Sequence, residues 1–206
     1  SGCPIGLAAR QARCMSDISK RPGVMIVVVG PSGAGKDTLM DFAARRFETH
    51  EGIHFARRVI TRSHDAGGEN HDAVSEAEFA RRLASREFCV SWQAHGLSYG
   101  IPASVMERLA RGETVVANGS RSALGQFKSV FATMKVVNVV ARLDVLAARL
   151  ESRGRESREE ILLRLQRSSL DVCGDFDVTT IDNSGALETS GAAFAALLNE
   201  HIRSGQ

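Results

Sequence analysis

Residues Gly30-Pro31-Ser32-Gly33-Ala34-Gly35-Lys36-Asp37 constrain the fold of this chain more than any other stretch. The run has the pattern G-x-x-x-x-G-K and stands between segments of different period. Val24-Met25-Ile26-Val27-Val28-Val29 ahead of it is apolar, β-branched and of strand length. From Asp37 onward, Leu39, Phe42, Ala43 and Phe47 recur at helical spacing. Strand, glycine loop and helix in that order form the context in which this pattern binds a nucleotide triphosphate. Gly30, Gly33 and Gly35 carry no Cβ, so the backbone can curl with its N–H groups inward. The helix N-terminus and the Lys36 ammonium add positive charge for the phosphates. A glycine-rich turn with a chance lysine would not require strand, spacing and helix to agree. The candidate nucleotide-binding residues are therefore Gly30, Pro31, Ser32, Gly33, Ala34, Gly35, Lys36, Asp37 and Thr38. Asp37 stands where Ser or Thr is usual.

A chain of 206 residues suits one α/β domain with a small inserted subdomain. The formal net charge of +2 does not point to a nucleic-acid partner. Arginine is nonetheless dense locally: Arg57, Arg58 and Arg62 in one place, Arg142 to Arg167 in another. Such clusters suit a small polyanionic ligand, although some, Arg158 and Arg167 among them, read as solvated helix surface. Cys3, Cys14, Cys89 and Cys173 have no C-x-x-C spacing, which fits reduced thiols in a cytoplasm. No apolar run reaches about 18 residues, so no membrane partner is expected. Residues 1–22 lack the apolar core of a secretion signal and read as a loosely ordered N-terminal extension to a domain over 23–206.

Along the chain, Phe55 to Ile60 reads as a second strand and Thr61 to Asp72 as a polar loop. Ser75-Glu76-Ala77-Glu78 is a capping box opening a helix to about Arg86. Phe88–Ser91 and Leu97–Ile101 read as short strands around a turn at His95-Gly96. Pro102 and Gly112 bracket a helix. Thr114–Ala117 and Val136–Ala141 read as buried strands, Leu143–Leu150 as a helix, Phe176–Ile181 as the last strand and Leu187–Ile202 as the last helix. Strands alternating with helices predict a three-layer α/β fold around a mainly parallel sheet. The alternation breaks over about 61–101, which predicts a small inserted subdomain.

With these residues in order, the chain resembles the guanylate-kinase-like family of phosphate-loop kinases. The resemblance runs from residue 24 to about 200. It rests on the Gly30–Lys36 loop, Thr61-Arg62, Gly68-Glu69, Val74-Ser75-Glu76-Ala77-Glu78-Phe79, Tyr99-Gly100 and Arg153-Gly154-Arg155. It implies a core, a substrate-binding region at about 61–101 and a helical lid at about 149–164. It also implies ATP and Mg²⁺ as cofactors. Three departures stand out. Ile101 follows Tyr99-Gly100 where guanylate kinases have Thr or Ser, Asn118-Gly119-Ser120-Arg121 replaces Asp-rich text, and Asp37 follows Lys36. With Gly68-Glu69-Asn70-His71, Ser91-Trp92 and Asp182-Asn183-Ser184-Gly185, the combination resembles the branch that phosphorylates a sugar bisphosphate. That implies phosphoryl transfer from ATP to the 1-phosphate of ribose 1,5-bisphosphate, giving 5-phosphoribosyl 1-diphosphate in bacterial phosphonate breakdown.

The residue chemistry agrees with a change of acceptor. Ile101 has no side-chain hydrogen bond for a guanine; it either fills base-binding space or packs in the core. Arg58, Arg62, Tyr99 and Arg121 keep donors for phosphates, with Asn118 and Ser120 beside them. Glu69, Asn70 and His71 either read sugar hydroxyls or serve turn chemistry beside Gly67-Gly68. Trp92 is either a sugar platform or core. By the resemblance, Lys36 with Arg149, Arg153 and Arg164 stabilises the transferring group, and Asn183 contacts the adenine. Asp37 and Thr38 are the metal candidates, Asp37 supplying the anionic oxygen that Asn118 lacks, or else only capping the helix. Guanylate kinase and a non-catalytic binding module are the alternative readings; the intact Gly30, Gly35 and Lys36 argue against the second.

Overall fold

The computed structural model describes residues 22–63, 70–152, 161, 165 and 171–203. Five strands form a parallel sheet in the order β2-β7-β1-β8-β9. They are β1 (Met25–Val29), β2 (Ile53–Ala56), β7 (Thr114–Asn118), β8 (Met134–Val140) and β9 (Val178–Asp182). Every residue of β1 and β7 is buried. That is the pattern of strands covered on both faces, and it explains their near-continuous apolar sequence. The chain runs from β1 to one side of the sheet and returns to the other side with β8. The carboxyl ends of β1 and its neighbours therefore border a switch point, where open α/β sheets place their ligands.

Two apolar layers flank this sheet. One joins Ile26, Val28, Val116, Val137 and Val139 to Leu39 and Ala43 of helix α1 (Lys36–Arg46). It also takes in Leu146 and Leu150 of α5 (Leu143–Glu151), and Phe194 and Leu198 of α6 (Leu187–Arg203). The other joins Met25, Val27 and Val29 to Val105 and Leu109 of α3 (Val105–Ala110) and Phe127 of α4 (Leu124–Val130).

The second layer extends into a smaller sheet of order β4-β3-β6-β5. Its strands are β3 (Val59–Ile60), β4 (Asp72–Ala73), β5 (Phe88–Ala94) and β6 (Leu97–Pro102). β5 and β6 form an antiparallel hairpin turned at His95 (φ 53°) and Gly96 (φ 74°). Two consecutive positive φ values match the strand twist of a two-residue hairpin. α2 (Glu76–Ala84) precedes the hairpin, and Phe79 stacks on Phe88 with centroids 4.7 Å apart.

Several boundaries differ from the sequence reading. Phe55 to Ile60 is two strands in two sheets, broken at Arg57-Arg58. Both arginines are spent sideways: Arg57 pairs with Asp72 and Arg58 lies over two aromatic rings. Pro102 ends β6 and does not open α3. The capping box is half made. Ser75 Oγ accepts from the Glu78 amide at 3.1 Å, while the Glu78 carboxylate takes Arg81 and Arg82, which hold its pKa down at about 2. α4 was absent from the sequence reading; its Leu124 and Phe127 are buried at helical spacing. Residues 1–21 and most of the expected lid lie outside the described residues. Among the described residues no helix is long and apolar enough to cross a membrane.

Phe127 is fully buried and tilts against both Trp92 and Phe131, so it bolts the small sheet to the large one. Phe127→Ala should destabilise the fold by about 3–5 kcal/mol. Thermal or chemical denaturation checks this, and a loss under about 1 kcal/mol would contradict it.

Candidate active site

The glycine loop leaves β1 at its buried carboxyl end. A Cβ on Gly30 (φ 152°) would stand 2.2 Å from the Val139 carbonyl oxygen, and one on Gly35 (φ 84°) 2.5 Å from Asn183 Nδ2. Both positions need glycine for conformation and for space. Gly35 caps α1 without any side-chain hydrogen bond. The first turn of this helix therefore starts directly from the loop backbone, the arrangement that binds phosphate.

The loop carbonyls have donors. Lys36 Nζ folds back to the carbonyls of Gly30 (2.9 Å) and Pro31 (3.2 Å). Arg149 Nη1 reaches those of Gly33 and Ala34, both at 3.4 Å, and its Nη2 donates to the Asn183 carbonyl at 2.9 Å. Asn183 Nδ2 donates to the Ala34 carbonyl at 2.8 Å, and its Oδ1 accepts from Ser190 Oγ at 2.6 Å. Only 3% of Asn183 is exposed, so its side chain is a strut between loop and α6. The neighbouring loop is fixed by the Arg142 amide donating to Ser184 Oγ at 2.8 Å.

Asp37 lies in the first turn of α1, where the helix dipole favours a carboxylate. Its Oδ1 accepts from Asn118 Nδ2 at 2.7 Å, and Asn118, at the end of β7, is 3% exposed. This bond ties the glycine loop to the neighbouring strand. Asp41 follows one turn later, at the i+4 spacing that could have drawn attention to it. Burial, and next the charge of Asp37, raise its pKa. Asp37, Asp41, Met40, Phe55, Arg57 and Asn70 are among the residues lining a cavity of about 220 Å³. Thr38 is exposed.

On the small sheet, Trp92 and Tyr99 are cross-strand neighbours whose rings stack at 5.3 Å and 7°. The Arg58 guanidinium carbon lies 5.0 Å from the Tyr99 ring centroid and 5.7 Å from that of Trp92. Trp92 is 6% exposed and packs against Phe127, so it is both core and part of this stack. Ile101 is fully buried and pairs across the hairpin with buried Val90. Arg62 Nε is buried without a hydrogen-bond partner among the described residues. His71, 2% exposed, points Nε2 at the Arg62 carbonyl at 3.1 Å. A carbonyl only accepts, so that nitrogen carries the proton. Ser120 and Ser122 hydroxyls meet at 2.9 Å beside Arg121, which opens a short 3₁₀ turn.

Lys36, Asp37, Arg149 and Asn183 thus gather at the loop, with Asn118 joined to Asp37. Arg58 and Tyr99 gather on the small sheet, and His71 supports Arg62 from behind. Glu69, Arg153 and Arg164 lie outside the described residues. No group of three or more His, Cys, Asp or Glu that could hold a metal occurs among the described residues. A single carboxylate beside a phosphate loop still fits Mg²⁺, which takes one or two carboxylates and completes its shell with phosphates and water.

The family model described as guanylate kinase matches residues 22–200. The ribose 1,5-bisphosphate phosphokinase PhnN of Agrobacterium fabrum is 63% identical over 182 residues, covering 88% of this chain and all of that protein. The protein of the same name from Rhizobium etli is 56% identical over 177 residues, covering 86% of this chain and 90% of its own. Among solved structures, a guanylate kinase from Anaplasma phagocytophilum superposes with a TM-score of 0.66 at 16% identity, covering 89% of this chain and 88% of its own.

Asn183→Ala should cost about 1–3 kcal/mol by leaving the Ala34 carbonyl and Ser190 without their buried partner. It should also weaken ATP binding. Calorimetric titration beside a denaturation curve checks both; unchanged affinity would remove Asn183 from the support of the loop.

Proposed function

Because the chain belongs to the guanylate kinase family, we propose that it transfers the γ-phosphoryl group of ATP to the 1-phosphate of ribose 1,5-bisphosphate. The products are 5-phosphoribosyl 1-diphosphate and ADP. The small sheet is then the acceptor region and the segment from about Arg149 onward the lid. Among the structural features, one carries the reading of the acceptor. Ile101, which stands where guanylate kinases have Thr or Ser, is fully buried and offers no side-chain hydrogen bond to a base, while Arg58 lies over the Tyr99 ring. Relatives named for this activity at 63% and 56% identity support the same choice.

An oxygen of the acceptor's 1-phosphate attacks the γ-phosphorus, and the bond from that phosphorus to the bridging oxygen of ADP breaks. The attacking phosphate is already ionised near neutral pH, so no general base is needed. Catalysis is positioning and charge stabilisation. The loop amides hold the phosphates of ATP. Lys36 exchanges its two loop carbonyls for phosphate oxygens. Arg149, anchored on the loop, stands at the base of the lid that also carries Arg153 and Arg164. Arg62, whose Nε has no hydrogen-bond partner among the described residues, Arg121 and Tyr99 serve the acceptor phosphates. Bound Mg²⁺ would neutralise phosphate charge, and Asp37 with Thr38 would hold it. The Asn118 amide spends one Asp37 oxygen and leaves the other for the cation. This places on the loop the carboxylate that the β7 end lacks.

The test is ADP release with ribose 1,5-bisphosphate against GMP. The expected ratio of kcat/KM is about 10⁴ in favour of the sugar bisphosphate, the scale set by unpaired polar groups. Robust turnover of GMP alone would overturn the reading. Asp37→Asn should raise the Mg²⁺ concentration needed for half-maximal nucleotide binding, measured by titration at fixed ADP. An unchanged midpoint would return Asp37 to a helix-terminal role only.

A further inference from the structure

We propose that the cavity between α1 and the end of β2 seats the ribose of the acceptor, with the Asp41 carboxylate accepting hydrogen bonds from the sugar's 2- and 3-hydroxyls. The inference rests on the acceptor being a sugar bisphosphate.

The cavity has walls from three segments. Helix α1 supplies Asp37, Met40, Asp41 and Ala44, the end of β2 supplies Phe55, and the segment ahead of β4 supplies Asn70. One wall is thus the helix that starts at the glycine loop, and another leads into the small sheet. Asp37 stands directly after Lys36, so the cavity begins beside the phosphate loop. Asp41 follows one turn later, about 6 Å along the helix axis. Residues four apart share a helix face, and the Cα–Cβ bond of each leans toward the helix N-terminus. Asp41 therefore leans back toward the loop. The 2-hydroxyl of the acceptor is on the carbon next to the one that bears the reacting phosphate. A group that reads it must stand about one helical turn from the transfer, which is the separation of Asp41 from the loop.

The lining suits a sugar ring. The cavity has a volume of about 220 Å³. That is the space of roughly seven waters at about 30 Å³ each, and it lies below the ~300 Å³ at which pockets for whole drug-sized ligands begin. A furanose ring fits it and a nucleoside does not. Met40 and Phe55 are half-buried against the main core and offer apolar surface to the C–H face of a ring. Asp41 and Asn70 are exposed and offer the polar side. An ionised carboxylate only accepts, at two neighbouring oxygens, and a cis pair of hydroxyls has two protons to give. An aspartate on a ribose hydroxyl is the same chemistry by which dinucleotide-binding folds hold their ligand. The carboxylates of Asp37 and Asp41 repel phosphate, so the cavity takes the uncharged middle of the acceptor and leaves its two ends outside.

An aspartate on a helix surface is ordinarily just solvated. Asp41 differs in bordering this cavity and in having no competing partner. The charge of Arg45 reaches it, yet it makes no hydrogen bond or ion pair among the described residues. Arg57, on the same rim, pairs with Asp72 at 3.1 Å instead.

The test compares kcat/KM for ribose 1,5-bisphosphate and 2-deoxyribose 1,5-bisphosphate. The unaltered protein should prefer the ribose compound about 10- to 100-fold, the range for losing one hydrogen bond to a charged group. In Asp41→Ala the two substrates should come within about two-fold of each other, as in a double-mutant cycle whose coupling is gone. Asp41→Asn, which keeps an acceptor oxygen but not the charge, should fall between. Damage to the fold, to nucleotide binding or to Mg²⁺ binding lowers both values together and cancels in the ratio. An unaltered protein that treats the two sugars alike would overturn the proposal, and so would an Asp41→Ala variant that keeps the full preference. Equal losses for both sugars with a higher Mg²⁺ requirement would assign Asp41 to a cation and reject it as a sugar contact. A protein that turns over GMP but not ribose 1,5-bisphosphate would instead refute the acceptor itself, a distinct result.

Discussion

A loop that turns its amides inward toward phosphate must turn carbonyls outward, and buried carbonyls need donors. The rest of this structure is arranged around that requirement. Arg149 serves Gly33 and Ala34, Asn183 serves Ala34, and Lys36 covers Gly30 and Pro31. Two of these donors come from segments far from the loop in sequence, Arg149 in α5 and Asn183 after β9. The loop is thus the point at which β1, α5, the end of β9 and α6 are fastened together. Asn183 is central because both ends of its amide and its own carbonyl are used. It also explains why Gly35 has no room for a Cβ, since the amide of Asn183 lies where that atom would go.

The small sheet is built by a different device. Two of its four strands have only two residues, and aromatic contacts fasten the sheet to the main core. Phe127 touches Trp92, Trp92 stacks on Tyr99, and Arg58 lies over both. A substitution deep in α4 would therefore be felt at Arg58. The Asp37–Asn118 bond links the first turn of α1 to the end of β7. It explains the paired departures seen in the sequence. A carboxylate entered the loop where a hydroxyl is usual, and an amide stands at the end of β7 to receive it.

The long buried strands, the glycine loop and the helices that follow them were legible because period and punctuation agreed there. Arg57-Arg58 was not. Read as a pattern it continues a strand, and only the tertiary partners, Asp72 on one side and two rings on the other, show why the chain changes sheets at that point. α4 escaped notice because its seven residues bury just Leu124 and Phe127, too few to set a period. Residue type was legible at the site, but direction was not. Asn183 was expected at the base, yet its amide faces inward to the loop. His71, read either as a sugar contact or as turn chemistry, points Nε2 at a backbone carbonyl. In both cases the sequence specifies a donor, and burial decides what receives it.

The position of Lys36 has a consequence for how the loop works. Its ammonium is not held out in solvent to await a phosphate; it rests on two carbonyls of the loop it serves. In the proposed activity, nucleotide binding would exchange these protein oxygens for phosphate oxygens around a cation that is already held by the loop. The carbonyls released by that exchange remain close to the loop backbone, which Arg149 and Asn183 keep fixed. The same bracing would keep the loop in place if Lys36 moved to a phosphate.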